Sequence, residues 1–203
     1  MTGLRERKKQ ATREALREAA LRLAVERGPD QVRVEDIAEA AGVSPRTYNN
    51  YFASREQAIV AAVTGDREAR VAAAVADRPT EVRLADAVTE AVIEQYTNSG
   101  EHEREALLLI TTRTPLRDAY LDATATIEPP LTAVIAERLG DAGGHTARVL
   151  AASVAAAVRI ALESWLQPSG TSGLVAVSGS LPDQLRAALA PLAPAFDAAV
   201  KRV

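Results

Sequence analysis

Apolar positions recur three to four residues apart along most of the 203-residue chain, the period of helices that bury one face. Over residues 10–27, Leu16, Ala19, Ala20, Leu23 and Ala24 form one stripe, and Gly28-Pro29 ends it. Over 35–41, Ile37, Ala38 and Ala41 share a face. Gly42 closes that segment, because glycine enters the left-handed conformation at least cost. Val43 comes next as an apolar residue inside the turn. Ser44-Pro45 then starts a short helix over 45–52: the hydroxyl accepts from a free backbone N–H, and proline at the first helical position gives up no bond. Tyr48 and Phe52 stand at i and i+4 and turn inward, which leaves Arg46, Thr47, Asn49 and Asn50 outward. Ser54 and Gln57 make a capping box that opens a long helix over 54–77.

The same period continues to the C-terminus. Arg78-Pro79-Thr80 separates that helix from one over 81–97, and Asn98-Ser99-Gly100 closes the latter. Further helices are predicted over 101–112 and 115–138, with a kink or break at Pro129-Pro130. A loop at 140–144 leads to a helix over 145–167 with two apolar faces. One holds Leu150, Val154, Ala157, Ala161 and Trp165, and the other Ala151, Ala155, Leu162 and Leu166. Such a helix must be covered on more than one side. The Gly/Ser-rich stretch 168–180 reads as an exposed loop. The closing segment 181–200 is amphipathic through Leu185, Leu189, Leu192 and Phe196, and Pro191 and Pro194 bend or split it. Strong helix formers abound and no β-branched alternation appears, so the fold class is all-α.

Composition narrows the function classes. With no cysteine, disulfides and thiolate metal sites are out. The longest apolar run, 149–158, is too short to span a bilayer. The basic N-terminus lacks the apolar core of a signal peptide, so the expected location is cytoplasmic, with no membrane partner. Net charge is −3, but residues 1–55 carry eleven Lys/Arg against eight Asp/Glu and the remainder thirteen against nineteen. That asymmetry either marks a nucleic-acid-binding end or is incidental. Residues 1–10, with Arg5, Arg7, Lys8 and Lys9, are equally either a mobile basic arm for phosphate or minor-groove contacts or a solvated terminus.

Residues 34–57 have the layout of a helix-turn-helix reader. Arg pairs bidentately with guanine and Asn with adenine, so a short helix showing Arg46, Thr47, Asn49 and Asn50 suits base edges. By periodicity alone a plain helical hairpin with a polar surface fits equally well. The stretch IAEAAGVSPRTYNNYFASREQAI, however, resembles the DNA-binding signature of TetR-family transcriptional regulators, roughly IAxxAGVSxxTLYxYFxSKExL after an AAxxLFxxxG helix. Ala19-Ala20, Leu23, Gly28, Ile37-Ala38, Ala41-Gly42-Val43-Ser44, Thr47, Tyr51-Phe52, Ser54 and Glu56 fit.

The resemblance implies an N-terminal three-helix DNA-binding domain over 1–52. A larger effector-binding and dimerisation domain over 53–203 would give about nine helices in all. It also implies a homodimeric, ligand-responsive regulator, most simply a repressor released from a palindromic double-stranded DNA operator by a small-molecule effector. Neither enzyme activity nor a cofactor is implied. DNA contact falls on Arg33, Ser44, Pro45, Arg46, Thr47, Asn49, Asn50, Tyr51 and Arg55. Tyr51 and Arg55 match phosphate-contacting positions, and Arg55 stands where the family has Lys. Arg33 replaces a capping Thr and reaches a phosphate instead. Tyr48 replaces a usual Leu, and Asn49 a usual Tyr, which changes the expected base preference. Ala15 and Ala24 replace larger residues and thin the small core unless Tyr48 fills it. The last two helices would pair with their mates in the dimer.

Chemistry of other kinds is sparse. There is no phosphate-binding Gly loop and no nucleophile elbow. His102, Glu103 and Glu105 do not converge on a helix, so no metal site is expected. Effector candidates are the polar groups near helix middles and ends: Tyr96, Thr111, Arg113, Tyr120 and Trp165. Arg159 is a charge within an apolar run. It either pairs with Glu163 one turn on or meets an acidic ligand or second subunit. An all-α enzyme or carrier using the C-terminal pocket, and a DNA-binding protein without effector, are the competing readings.

Overall fold

The computed structural model describes residues 2–97, 107, 110, 113–141, 144–169, 174–177 and 179–200. Helices carry them: α1 (Thr2–Arg27), α2 (Val34–Ala40), α3 (Pro45–Tyr48), α4 (Arg55–Thr64), α5 (Arg67–Ala76), α6 (Leu84–Thr97), α7 (Thr114–Asp122), α8 (Glu128–Leu139), α9 (His145–Trp165), α10 (Leu181–Leu189) and α11 (Ala193–Val200). The chain forms two compact units, residues 1–65 with 101–120, and residues 66–100 with 121–203.

In the first unit α1 packs on α2 and α4. Its stripe of Leu16, Ala19, Ala20, Leu23 and Ala24 meets Ile37 and Ala38 of α2, Ile59 of α4, and Tyr48 and Phe52, all buried. Tyr48 is fully buried and stands among the largest such side chains.

In the second unit α9 packs on α8 and α10, α5 on α6 and α8, and α6 on α10 and α11. Leu150, Val154, Ala157 and Ala161 are buried, as are Ala151, Ala155 and Leu162, so both predicted faces of α9 are covered within this unit. By length and composition α9 could cross a membrane, but half of its most apolar stretch is buried inside the protein, as in a core helix. Arg138 ties α8 to the α5–α6 connection: Nη1 donates to the Arg78 carbonyl (3.0 Å) and Nη2 to that of Val82 (3.0 Å). Arg159 pairs with Glu163 (2.8 Å) and also with Asp122 (2.8 Å), which is the intramolecular option.

Four differences from expectation have local causes. Helix α1 starts at Thr2, so residues 2–10 are a helical extension of the helix expected over 10–27. They hold Arg, Glu, Lys and Gln, good helix formers, and Arg7 and Thr12 side chains donate to the carbonyls one turn back. The helix expected over 54–77 is broken: Gly65 takes φ 57° and ψ −139° between α4 and α5, a conformation that only glycine adopts cheaply. Stretch 168–180 is not simply a loop. Strands β1 (Leu166–Ser169) and β2 (Leu174–Val177) pair antiparallel, with Leu166 opposite Val177 and Ser169 opposite Leu174. Finally, the segment predicted over 45–52 is helical only to Tyr48 and then tightens into a turn in which Asn50 and Tyr51 N–H bond the carbonyls of Thr47 and Tyr48. Both proline signals hold. Pro129-Pro130 fall in the first turn of α8 after a 3-10 segment at Ala123–Ile127, and a 3-10 turn at Ala190–Leu192 splits the last helix into α10 and α11.

Candidate nucleic-acid interface

The α2–α3 unit is built by its ends. At the start of α2, Arg33 offers no capping oxygen, and the Asp36 carboxylate instead accepts from the Arg33 backbone N–H (3.1 Å). At its end Gly42 takes φ 68°. Val43 N–H then reaches the Ala38 carbonyl (2.9 Å) and Gly42 N–H that of Glu39 (3.0 Å). This paired closure turns the chain sharply and needs a residue free to go left-handed. Ser44 Oγ accepts from Thr47 N–H (3.1 Å) and lies 2.9 Å from Thr47 Oγ1, so these two side chains hold the start of α3. Pro45 occupies its first turn.

Tyr48 locks α3 to the start of α4. Its ring packs tilted against Phe52 at 5.9 Å, and its hydroxyl donates to the Ser54 carbonyl at 2.7 Å. Burial, with the Glu56 charge nearby, pushes its pKa well above the usual tyrosine value, so the phenol stays a proton donor. Ser54 Oγ accepts from Gln57 N–H (3.1 Å), and Gln57 Oε1 accepts from Ala53 N–H (2.6 Å). These bonds start α4 directly beneath the reader. With Tyr48 inward, Pro45, Arg46, Asn49 and Asn50 are exposed on the other side, and Thr47 and Tyr51 are half-buried at its margin. Arg33 is exposed at the head of α2.

Arg55 makes its bonds within the protein. Its Nη1 donates to the carbonyls of Asp30 (3.0 Å) and Val32 (2.9 Å), and its Nε to Glu56 Oε1 (2.7 Å). Its guanidinium therefore braces the turn that enters α2. Arg113 Nε donates to the carboxylate of the same Asp30 at 2.9 Å. Sequence reasoning missed Asp30, because both contacts join residues far apart in the chain and leave no local spacing to read. Arg55→Ala should lower urea-unfolding stability by about 1.5–3 kcal/mol, the worth of hydrogen bonds from a charged donor. The salt dependence of DNA binding should stay unchanged, whereas a phosphate contact would flatten it.

The effector candidates are divided between the two units. Arg113 and Tyr120 fall in the first unit, and Tyr96 and Trp165 in the second. Tyr96 is buried with the Arg67 guanidinium 4.5 Å over its ring, Tyr120 is buried, and Trp165 is half-buried at the end of α9. Thr111, like His102, Glu103 and Glu105, lies outside the described residues. A groove of about 410 Å3 in the second unit is lined by Thr80, Val82, Arg83, Arg138, Asp197 and Val200 among others, and includes none of these candidates. Among the described residues no group of three or more His, Asp or Glu is placed to hold a metal.

A glycine-turned pair of short helices on a three-helix core, with Arg and Asn outward on the second, defines a helix-turn-helix DNA-binding protein. Residues 16–62 match the model for bacterial regulatory proteins of the tetR family, and residues 82–197, more than half of the chain, match the MftR C-terminal domain. The chain belongs to the TetR family. It is 34% identical over 147 residues to the HTH-type transcriptional regulator TcmR of Streptomyces glaucescens, an alignment covering 68% of this chain and 65% of that protein. Among solved structures, FadR of Thermus thermophilus, a TetR-family repressor in complex with lauroyl-CoA, shares the fold. Its TM-score is 0.51 at 20% identity, covering 90% of this chain and 93% of that one. A TetR-family regulator from Rhodococcus sp. aligns over 92% of this chain and 99% of its own at 20% identity and a TM-score of 0.49.

Proposed function

We propose that the protein is a homodimeric transcriptional repressor, held on a palindromic operator until a small molecule releases it. The observation that carries this reading is the outward set Arg46, Asn49 and Asn50 on a short helix and the turn that ends it, fixed by Ser44, Gly42 and Tyr48. Two such helices on a two-fold axis meet successive major grooves. Arg46 and Asn50 read bases; Arg33 and Tyr51 lie on phosphate; Ser44, Pro45, Thr47 and Asn49 complete the contact surface. Arg55 braces the reader from within. A protein acting on the chromosome works in the cytoplasm. The effector is bound by the larger helical part of the chain, with Tyr96, Trp165, Tyr120, Arg113 and Thr111 as candidate contacts, and favours the form with lower operator affinity.

The second copy has a supporting feature. With both buried faces of α9 used inside the chain, a third stripe remains outside: Val149 and Ile160 are 66% and 57% exposed, and Ala156 is exposed between them. Large exposed aliphatics on one line of a helix suit an isologous contact. Ile160→Asp should raise the dimer dissociation constant at least about tenfold, read by sedimentation equilibrium, and weaken binding to a full palindrome more than to a half-site.

The direct test is a gel shift with fragments upstream of the protein's own gene. Binding to a palindromic fragment at moderate salt, relieved by a metabolite fraction, is expected. Failure to bind any such fragment would overturn the regulator reading. Binding that no small molecule alters would leave a DNA-binding protein without effector.

A further inference from the structure

Helix α1 runs well past the core it belongs to. Its inner part carries Leu16, Ala20 and Leu23, buried against α2 and α4. At the same three-to-four spacing toward the N-terminus stand Arg5, Lys8, Lys9, Thr12 and Arg13. The side of α1 that faces the core therefore continues beyond it as a row of cations. Arg5, Lys8 and Lys9 are exposed and Arg13 is half-buried; the Arg13 Nε–H lies buried without a hydrogen bond among the described residues.

The charges do not favour this arrangement. Arg5 with Lys9, and Lys9 with Arg13, are like charges one turn apart, which repel on a helix surface. The first turn holds no acid to offset the helix dipole. Glu6 is the one acid between residues 2 and 13. A polyanion laid along this face would relieve both strains. Arg5, Lys9 and Arg13 stand about 6 Å apart along the axis, with Lys8 beside Lys9, a spacing that suits a line of phosphates. Leu4 is the one large apolar residue of the overhang, so it lacks the apolar face a lipid surface requires. The family match begins at residue 16, so the row lies outside the part of the chain that the match covers.

We propose that Arg5, Lys8, Lys9 and Arg13 form a rigid helical track for the sugar–phosphate backbone of duplex DNA beside the half-site that α3 reads. The track adds sequence-independent affinity and sets the register of the reader. This rests on the DNA-binding reading above.

The test compares wild-type protein with Arg5→Ala/Lys8→Ala/Lys9→Ala, and with the charge-keeping Arg5→Lys/Lys8→Arg/Lys9→Arg. Affinity for the operator duplex and for a scrambled duplex is measured across a salt series. Alanine favours helix, and circular dichroism confirms that α1 is retained. For the alanine variant the slope of log affinity against log salt should fall by about 0.9 for each phosphate that is no longer neutralised. Operator and scrambled DNA should weaken alike, and the charge-keeping variant should match wild type. An unchanged slope in a wild type that does bind DNA would overturn the track alone. Loss confined to the operator would also overturn it, because it would mean base reading. A wild type that binds neither duplex removes the DNA-binding reading and the track with it.

Discussion

Tyr48→Ala is expected to abolish operator binding by unfolding the reader. Tyr48 is fully buried, packs on Phe52, and lies in a small core in which α1 contributes Ala19, Ala20 and Ala24 beside its two leucines. Removing a fully buried ring leaves a large cavity, so the range for aromatic truncation applies, about 3–5 kcal/mol. That is a large share of the stability of any small domain. The expected result is loss of binding with a lowered unfolding midpoint for the N-terminal residues, read by hydrogen exchange on α2 and α3. Tyr48→Phe separates packing from polarity. The Ser54 carbonyl also accepts from Ala58 N–H at 3.2 Å, so losing the hydroxyl leaves that carbonyl satisfied and should cost only about 1 kcal/mol. Equal damage from both variants would mean that the hydrogen bond, not the ring, holds the reader.

The second large effect is expected at the exposed side of the same helix. Arg46→Ala or Asn50→Ala should cost about 1–3 kcal/mol in discrimination against a changed base pair, if each holds one bidentate base contact. Stability should hardly move, because both side chains are exposed. Competition binding with operator variants would show preference relaxed at one position per variant, with affinity for scrambled DNA unchanged. A uniform loss across all sequences would place these residues on phosphate instead.

The signals that the sequence made legible were local ones. Gly42, Ser44-Pro45 and Ser54 each act within a few residues and bond as their spacing implies, while the Gln57 side chain accepts from Ala53 N–H, one residue before the N-cap. Pro129-Pro130 and Pro191 interrupt helices for reasons contained in the ring itself. What stayed hidden depends on distance or on backbone angle. Gly65 in VTGDRE lies inside the helix expected over 54–77, and only its φ of 57° shows the break. The bonds from Arg55 to the carbonyls of Asp30 and Val32 span more than twenty residues and leave no local spacing to read. The hairpin of β1 and β2 was concealed by Gly/Ser content, which says turn but not what the turn joins. The overhang of α1 stays open between an arm and a solvated terminus because its terminal charge draws attention from the fact that its residues favour helix.

The recognition helix itself spans only Pro45–Tyr48, far shorter than a helix that stands alone in water. Its shape is borrowed from Ser44, from the Gly42 closure and from Tyr48 reaching Ser54. It is therefore not a transplantable cassette. Grafting residues 45–50 onto another scaffold should yield no reader, and redesigning the target sequence by exchange with a relative would have to move the whole stretch from α1 to the first turn of α4.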